Sequence, residues 1–462
     1  MRLKDKLALV GHFIHTRWIL RFYPRSLLEL RQRRMLRRFL RCWLPQSSFY
    51  TPLLKQLNWQ AEEAQDLLAA LPLMDKGDLL GDFAGRNTFG IALEEALALA
   101  YQAETSRDFN PRLGDLTVGL SSGTSGQRGV FLVSERERAR WAGILLAKTL
   151  PGAFLIQLLC FWKPRLRIAF FLRANSNLYQ TLESRRIQFG FYDLLQPLQQ
   201  HFEMLNDGPP QVLVAPASVL VDLARAAIAG KLNIRPLHII SVAEVLETRD
   251  AEMIGRAFVS TGESPMTVHQ IYQATEGFLG YTCPLGNIHL NETHLHIEKD
   301  WVDEVQGRFQ PIVSDFSRTS QLILRYRVND ILRLAPSPCP CGRAETTLAA
   351  IEGRADEVLW MRDGNRQWQP VYPDLIRRSM MLVDPPLKDY RILQCGEIWI
   401  LELLIEDDSE MLRGKISMEL GKLAASRGCR MPNLNFVLWH PLAAGAKRRR
   451  LQCLWRDNKE TL

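Results

Sequence analysis

An alternation that begins near Leu116 and runs to Ile271 restricts this chain more than any other feature. Short apolar runs rich in Val, Ile and Phe (Arg167–Leu172, Val212–Ala215, Leu237–Val242 and Met266–Ile271) alternate with segments of helical spacing such as Ala217–Ala229. Such alternation suits strands in one sheet with the intervening helices as its covers. The pattern therefore predicts an α/β layered sheet. Residues 1 to about 105 read as helices, with a polar break at Pro45-Gln46-Ser47-Ser48. From Gly286 to Leu334 the runs shorten and turn formers multiply, as in a small antiparallel unit. A composition break at Gly353–Asp356 precedes Val358–Met361, a turn at Asp363-Gly364-Asn365 and a helix from about Tyr372. A strand (Ile398–Ile405), a helix (Glu410–Ser426) and a strand (Asn435–Trp439) follow. The expectation is a large multi-subdomain N-terminal domain over 1–353, a hinge at 354–357 and a small mobile α+β cap over 358–462. A small-molecule cleft is expected where such domains meet.

Composition narrows the class. With 47% apolar and 23% charged residues, intrinsic disorder, collagen-like repeats and a membrane bundle are excluded. Eight cysteines in 462 residues are too few for a disulfide scaffold. The net charge of +8 is uneven: twelve basic residues from Arg2 to Arg41 face only Asp5 and Glu29, which puts +10 there and −2 on the remainder. Leu27, Leu28, Leu30, Met35, Leu36, Phe39 and Leu40 give this segment helical apolar spacing. It reads as an amphipathic helix with a solvated basic face, ahead of docking on an acidic partner or a membrane surface. Nucleic acid ranks last and is not expected as a partner, because no aromatic interleaving accompanies the charge. Leu7–Val10 is too short for a secretory core, and Gly143–Trp162 is interrupted by Lys148 and Pro151-Gly152. No transmembrane segment is expected, and a cytoplasmic protein with reduced thiols is.

Chemistry concentrates first in Ser121-Ser122-Gly123-Thr124-Ser125-Gly126-Gln127-Arg128-Gly129. Its glycines let backbone N–H groups approach an anion, its hydroxyls add donors, and Arg128 adds charge. Val130–Val133 follows as a strand signal, so strand–loop–strand is expected, and the Gly-Lys-Ser/Thr ending of a Walker loop is missing. By composition alone such a cluster is a surface loop, and the later Thr275-Glu276 is a helix start.

Their order resembles the adenylate-forming superfamily of acyl-CoA synthetases, adenylation domains and luciferases. The Ser/Gly loop is similar to the family's phosphate loop. Tyr272-Gln273-Ala274-Thr275-Glu276-Gly277 is similar to its aromatic-x-x-Thr-Glu motif. The resemblance implies ATP as nucleotide, with Ser121 to Gly126 and Arg128 at its phosphates and Tyr272, Gln273 and Ala274 near adenine. Thr275 would meet the α-phosphate and Glu276 would hold Mg²⁺. Arg325-Tyr326-Arg327-Val328-Asn329-Asp330 matches Tyr-Arg-Thr-Gly-Asp with Val-Asn in place of Thr-Gly, which leaves Asp330 in register for the ribose hydroxyls. Gly353-Arg354-Ala355-Asp356 resembles the family's hinge, with Arg354 toward ribose or phosphate and Asp356 as pivot. Gly445-Ala446-Lys447 fits the place of the catalytic lysine, although Arg448, Arg449 and Arg450 beside it allow a solvated basic tail as well.

Cys283 and His289 follow the Thr-Glu motif, and Cys339-Pro340-Cys341-Gly342-Arg343 precedes the hinge. Three thiolates and an imidazole suit a closed structural Zn²⁺ site, with His294 and His296 as rival fourth ligands and buried unpaired or redox thiols as alternatives. Pro284, Gly286, Pro338 and Gly342 supply turns. Cys42, Cys160, Cys395, Cys429 and Cys453 lack metal spacing and are expected in the core. The Cys-Gly-Arg, the upstream Cys and His, Gln32-Arg33-Arg34 and Ser48-Phe49-Tyr50 resemble the phenylacetate–CoA ligase branch and its coenzyme F-type synthetase relatives, often found in bacterial biosynthetic clusters. Arg343 joins the nucleotide-binding set on that resemblance. Phe171, Arg173 and Asn175, beside Phe189 to Tyr192, are expected to face the substrate, although such phenylalanines also suit a core.

The resemblance implies an adenylate-forming ligase. A small aryl or acyl carboxylic acid is activated by ATP and then handed to coenzyme A or to the phosphopantetheine of an acyl carrier protein. An amine acceptor, or a degenerate protein that only binds nucleotide, are the alternatives.

Overall fold

A computed structural model describes residues 2–57, 64–108, 112–120, 128–172, 183–260, 262–384, 387, 389–404, 410–440 and 449–455. The chain forms two units. One comprises Met1–Lys299, Ile312–Val328 and Leu334–Ala349, the other Asp300–Pro311, Asn329–Arg333 and Ala350–Leu462.

Five parallel strands centre the first unit, in the spatial order Ile187–Asp193, Leu166–Leu172, Val212–Pro216, His238–Val242, Val268–Ala274. Side chains alternate across such a sheet. Ile168, Phe170, Val212, Val214 and Ile240 pack on one face with Ile144, Leu145 and Phe154. Ala169, Phe171, Leu213, Ala215 and Ile239 pack on the other with Leu220, Leu223 and Ala224 of helix Ala217–Ile228. Burial of both faces explains why adjacent residues in the middle of these strands, such as Phe170 and Phe171, Leu213 and Val214, or Ile239 and Ile240, are both apolar. Beyond Val268–Ala274 the sheet turns antiparallel through Gly277–Thr282 and Ile288–Leu290, against which Thr347 and Leu348 pair.

Leu116–Leu120 and Val130–Ser134 form a separate antiparallel ribbon, the strand–loop–strand expected around the Ser/Gly loop, whose residues 121–127 lie outside the described ones. Helix Glu135–Thr149 leaves this ribbon through a capping box between Ser134 and Glu137. Helix Arg25–Cys42 buries Leu36, Phe39 and Leu40 against Tyr50, Leu67 and Phe316, while Arg33, Arg34, Arg38 and Arg41 remain exposed.

In the second unit, strands run in the order Asn433–Leu438, Ile398–Leu404, Asp389–Cys395, Leu451–Cys453. Helix Glu410–Ser426 covers them, and Ile392, Trp399, Leu401, Ile416 and Leu420 make the core. The expected strand–helix–strand tail is present and pairs in parallel. Asp389–Cys395 and Leu451–Cys453 complete the sheet and were not expected. Leu451–Cys453 has too few residues to show a period, and its pairing with Ile392–Gln394 bridges a long stretch of chain.

The cysteine expectation needs correction. Cys42 and Cys395 are exposed and Cys160, Cys429 and Cys453 only half-buried. Cys42 closes the last turn of its helix and Cys395 ends its strand. Both ends face solvent.

Candidate functional site

Thr275 and Glu276 begin no helix. They form the turn between Val268–Ala274 and Gly277–Thr282. A register shift between Tyr272 and Gln273 bulges this hairpin just before the turn, a device that re-aims side chains at a strand end. Tyr272 is buried, Gln273 and Ala274 are half-buried, and the Thr275 hydroxyl donates to Glu276 Oε1 at 2.8 Å.

Arg318 ties this turn to the ribbon that carries the Ser/Gly loop. Its Nη1 donates to the Thr275 carbonyl at 3.3 Å, and its Nη2 to the Leu132 carbonyl at 3.1 Å and Gln321 Oε1 at 3.2 Å. Gln321 Oε1 also accepts from Leu132 N at 3.1 Å. Beneath lies Glu137, buried, whose carboxylate accepts from Ser134 N, Ser320 N and the Ser320 hydroxyl at 2.6–2.9 Å. Burial alone would raise its pKa; Arg318 and these hydrogen bonds outweigh burial and hold it below the usual carboxylate range. Arg318, Gln321 and Glu137 escaped the sequence reading, since no motif surrounds them and they meet only through the fold. Arg128 pairs with Glu104 and lies over the Tyr101 ring at 5.6 Å.

Within the second unit, the hydrogen bond from Ala355 N to the Asn329 carbonyl (3.2 Å) sets the start of strand Asp330–Leu334 beside Arg354-Ala355-Asp356. Arg354 pairs with Asp356 at 3.4 Å, and Asp356 pairs with Arg449 at 2.7 Å. Glu357 takes Arg377 at 2.9 Å. Gly353 sits at φ +124°, and a Cβ there would meet Glu357 Oε2 at 2.6 Å, so this position admits only glycine. Asp330, Arg354 and Asp356 thus share one corner of that unit. Ser121 to Gly126, Arg173, Asn175 and Lys447 lie outside the described residues.

Of the two readings open for Phe171, substrate-facing or core, the packing suits the core. Its side chain is wholly buried and stacks on Tyr192 at 4.7 Å, in the layer beneath helix Ala217–Ile228.

Cys283, His289, Cys339 and Cys341 converge, with ligand atoms all within 4.8 Å of one another. Cys283 Sγ lies 3.8 Å from Cys339 Sγ, and Cys341 Sγ 3.4 Å from His289 Nε2. His289 Nδ1 donates to the Glu345 carbonyl at 3.2 Å, which fixes the tautomer and leaves Nε2 to the cluster. Gly286 and Gly342 turn the two knuckles at φ +84° and +74°. The rivals are engaged elsewhere: His294 Nε2 with Thr16 Oγ1 at 2.9 Å, His296 Nδ1 with Gln32 Oε1 at 3.3 Å. Three soft donors and one imidazole fit a tetrahedral Zn²⁺. Arg343 belongs to this corner, its guanidinium over the Tyr281 ring at 5.3 Å. Beside it Lys148 and Glu345 form a buried ion pair at 2.7 Å, joined by the Tyr281 and Thr293 hydroxyls.

No protein-family model matches the chain, and no curated protein does. Solved structures do. The chain is similar to 2-hydroxyisobutyryl-CoA ligase in its postadenylation state with R3-HIB-AMP, at 15% identity and TM-score 0.65, over 94% of this chain and 91% of that one. It is similar to the GH3.15 acyl acid amido synthetase, at 14% identity and TM-score 0.57 over 93% and 92%. A structure from the fatty acyl-adenylate ligases of E. coli and L. pneumophila matches at 11% identity and TM-score 0.51 over 72% and 68%. The fold is that of the adenylate-forming enzymes. At these identities the likeness is one of architecture, and it spans nearly the whole chain.

Proposed function

We propose that this chain is an ATP-dependent enzyme that activates a small aryl or acyl carboxylic acid as its adenylate and then passes the acyl group to a thiol. A carboxylate oxygen attacks the α-phosphorus and pyrophosphate leaves. The sulfur of coenzyme A, or of a carrier protein's phosphopantetheine arm, then attacks the acyl carbonyl and AMP leaves. The observation that carries this reading is the Arg318 bridge, which links the Thr275-Glu276 turn to the ribbon bearing the Ser/Gly loop in a chain with the adenylate-forming fold.

The residues take the following roles. Backbone N–H groups and hydroxyls from Ser121 to Gly126 cradle the terminal phosphates, and Thr275 meets the α-phosphate. The buried Glu276 carboxylate holds Mg²⁺, which when bound offsets phosphate charge. Asp330 accepts from the ribose hydroxyls, with Arg354 beside it. Lys447 neutralises the charge developing at the α-phosphate, and rotation about Asp356 brings the cap into each half-reaction. Zn²⁺ on Cys283, His289, Cys339 and Cys341 is structural. We assign the protein to the cytoplasm, where ATP and the thiol acceptors are available, and to a bacterial biosynthetic pathway of the phenylacetate–CoA ligase type.

The test is acid-dependent exchange of pyrophosphate into ATP across a panel of aryl, hydroxyaryl and fatty acids. Exchange with one class identifies the acid. Zinc-replete, folded protein that exchanges with none overturns the reading. Transfer to an amine instead of a thiol would move the chain toward the chemistry named for GH3.15.

A further inference from the structure

The N-terminal helix Leu3–Ile14 carries a stripe that the fold leaves uncovered. At about 100° per residue, Leu3, Leu7, Val10 and Ile14 share one narrow band, and Trp18 and Phe22 carry the apolar surface on through the turns that follow. All six are between 46% and 75% exposed. The opposite face is fastened down. Asp5 is buried, and the helix lies so close to helix Glu135–Thr149 that a Cβ on Gly143 would meet the Leu9 carbonyl at 2.4 Å. Arg17 donates to the carbonyls of Ala147 and Leu150 at 3.1 and 2.6 Å. The stripe cannot turn inward without breaking this seam.

A second apolar group stands at the end of the neighbouring helix Gly152–Leu159 and in the turn after it, the helix that begins just beyond the Leu150 carbonyl held by Arg17. Leu159, Phe161 and Trp162 are 71–83% exposed. Arg186 holds them out, donating to the carbonyls of Gln157, Leu158, Cys160 and Phe161 at 2.5–3.3 Å.

Cations border both groups. Lys4 and Lys6 flank the stripe on either side, Arg21 sits beside Phe22, and Lys163 and Arg165 follow Trp162, all exposed. Aliphatic and aromatic side chains bordered by long cationic ones are what an anionic bilayer surface takes, the rings at headgroup depth and the lysines reaching out to phosphates. The same border argues against a second copy, since a two-fold contact on this stripe would set Lys4 and Lys6 against their own kind. No described helix is long and apolar enough to cross a membrane.

We propose that this chain docks on anionic lipid bilayers through Leu3, Leu7, Val10, Ile14, Trp18 and Phe22, with Phe161 and Trp162 as a second point of insertion. The test is co-sedimentation of the full chain with phosphatidylglycerol-containing vesicles and with phosphatidylcholine vesicles. Wild type should bind the anionic vesicles preferentially. Leu7→Ser with Val10→Ser should weaken binding about tenfold or more, and Lys4→Glu with Lys6→Glu should abolish the anionic preference. Unchanged Tm and pyrophosphate exchange in the charge variant guard against misfolding. Wild type that ignores anionic vesicles, or stripe variants that bind as wild type, overturn the proposal. So does a stripe-dependent dimer in solution without lipid. Phe161→Ser with Trp162→Ser that binds as wild type removes the second point of insertion.

Discussion

Glu345 serves His289 and Lys148 at once: its backbone carbonyl takes His289 Nδ1 at 3.2 Å while its carboxylate takes Lys148 Nζ at 2.7 Å, both wholly within the first unit. The orientation of one cluster ligand is thereby fastened to helix Glu135–Thr149. A buried carboxylate without its cation is strongly unfavourable, so Lys148→Met should lower stability by about 3–5 kcal/mol. The double variant Lys148→Met/Glu345→Leu should recover part of that loss in chemical denaturation. Two losses that simply add would show that the pair is not coupled.

Zinc retention tests the cluster. Wild-type protein should carry equimolar zinc by elemental analysis, and Cys341→Ser or His289→Ala should lose most of it with a fall in Tm. His294→Ala should keep its zinc, because that ring is engaged with Thr16.

Glu276→Gln should cut pyrophosphate exchange about 10²–10³-fold with little change in Tm, since the amide still accepts from Thr275. Arg318→Met should also cut exchange, by about a hundredfold through misplacement of the turn. In contrast to Glu276→Gln it should lower Tm, because it strips Glu137 of its cation. Melting curves beside exchange rates separate the two roles.

The register of the basic tail is resolved by kinetics. Lys447→Ala should reduce exchange about 10²-fold or more, and Arg448→Ala should stay within about twofold of wild type. Equal losses in both would point to a diffuse basic field in place of one placed ammonium.

Acid weakens this fold through its buried histidines. Burial, with His269 alongside at 4.5 Å, holds His238 down at about 3, and burial with Arg140 nearby holds His12 at about 4. His238 Nε2 donates to the Thr149 carbonyl at 3.1 Å, which by itself favours the protonated ring, but burial outweighs it. The unfolded imidazoles bind protons near pH 6.5, where the folded ones do not. Stability is therefore intact above pH 6.5 and falls as pH drops, by up to about 1.4 kcal/mol per pH unit toward pH 3 for His238 and by less for the half-exposed His12, whose charge solvent screens. Denaturant midpoints between pH 7 and 4.5 should fall less steeply in His238→Gln than in wild type.

Much of the architecture was readable from the chain. Phe170 and Phe171, Val212 and Leu213, Ile239 and Ile240 are apolar in adjacent pairs because each pair feeds two cores. That same doubling hid the role of Phe171, since an aromatic on a strand looks alike whether its neighbour is a helix or a ligand. Thr275 and Glu276 look like a helix start in isolation and were placed by resemblance, while the bulge at Tyr272 left no sequence mark. The four metal-cluster residues were named by spacing, but three histidines competed for one position. Their other partners, Thr16 and Gln32, lie far away in sequence.

By itself the sequence determined what repeats or accumulates along the chain: the strand–helix alternation, the order of motifs, the cysteine spacing and the +10 concentrated before residue 42. Those are local quantities, written in the period of side chains and the run of charges. Tertiary structure alone decided which distant charges meet (Glu345 with Lys148, Asp356 with Arg449), that Arg318 comes near enough to lower the Glu137 pKa, and which face of the first helix is left to solvent. A buried charge is tolerated only where a distant partner is brought against it, and no spacing along the chain records that approach.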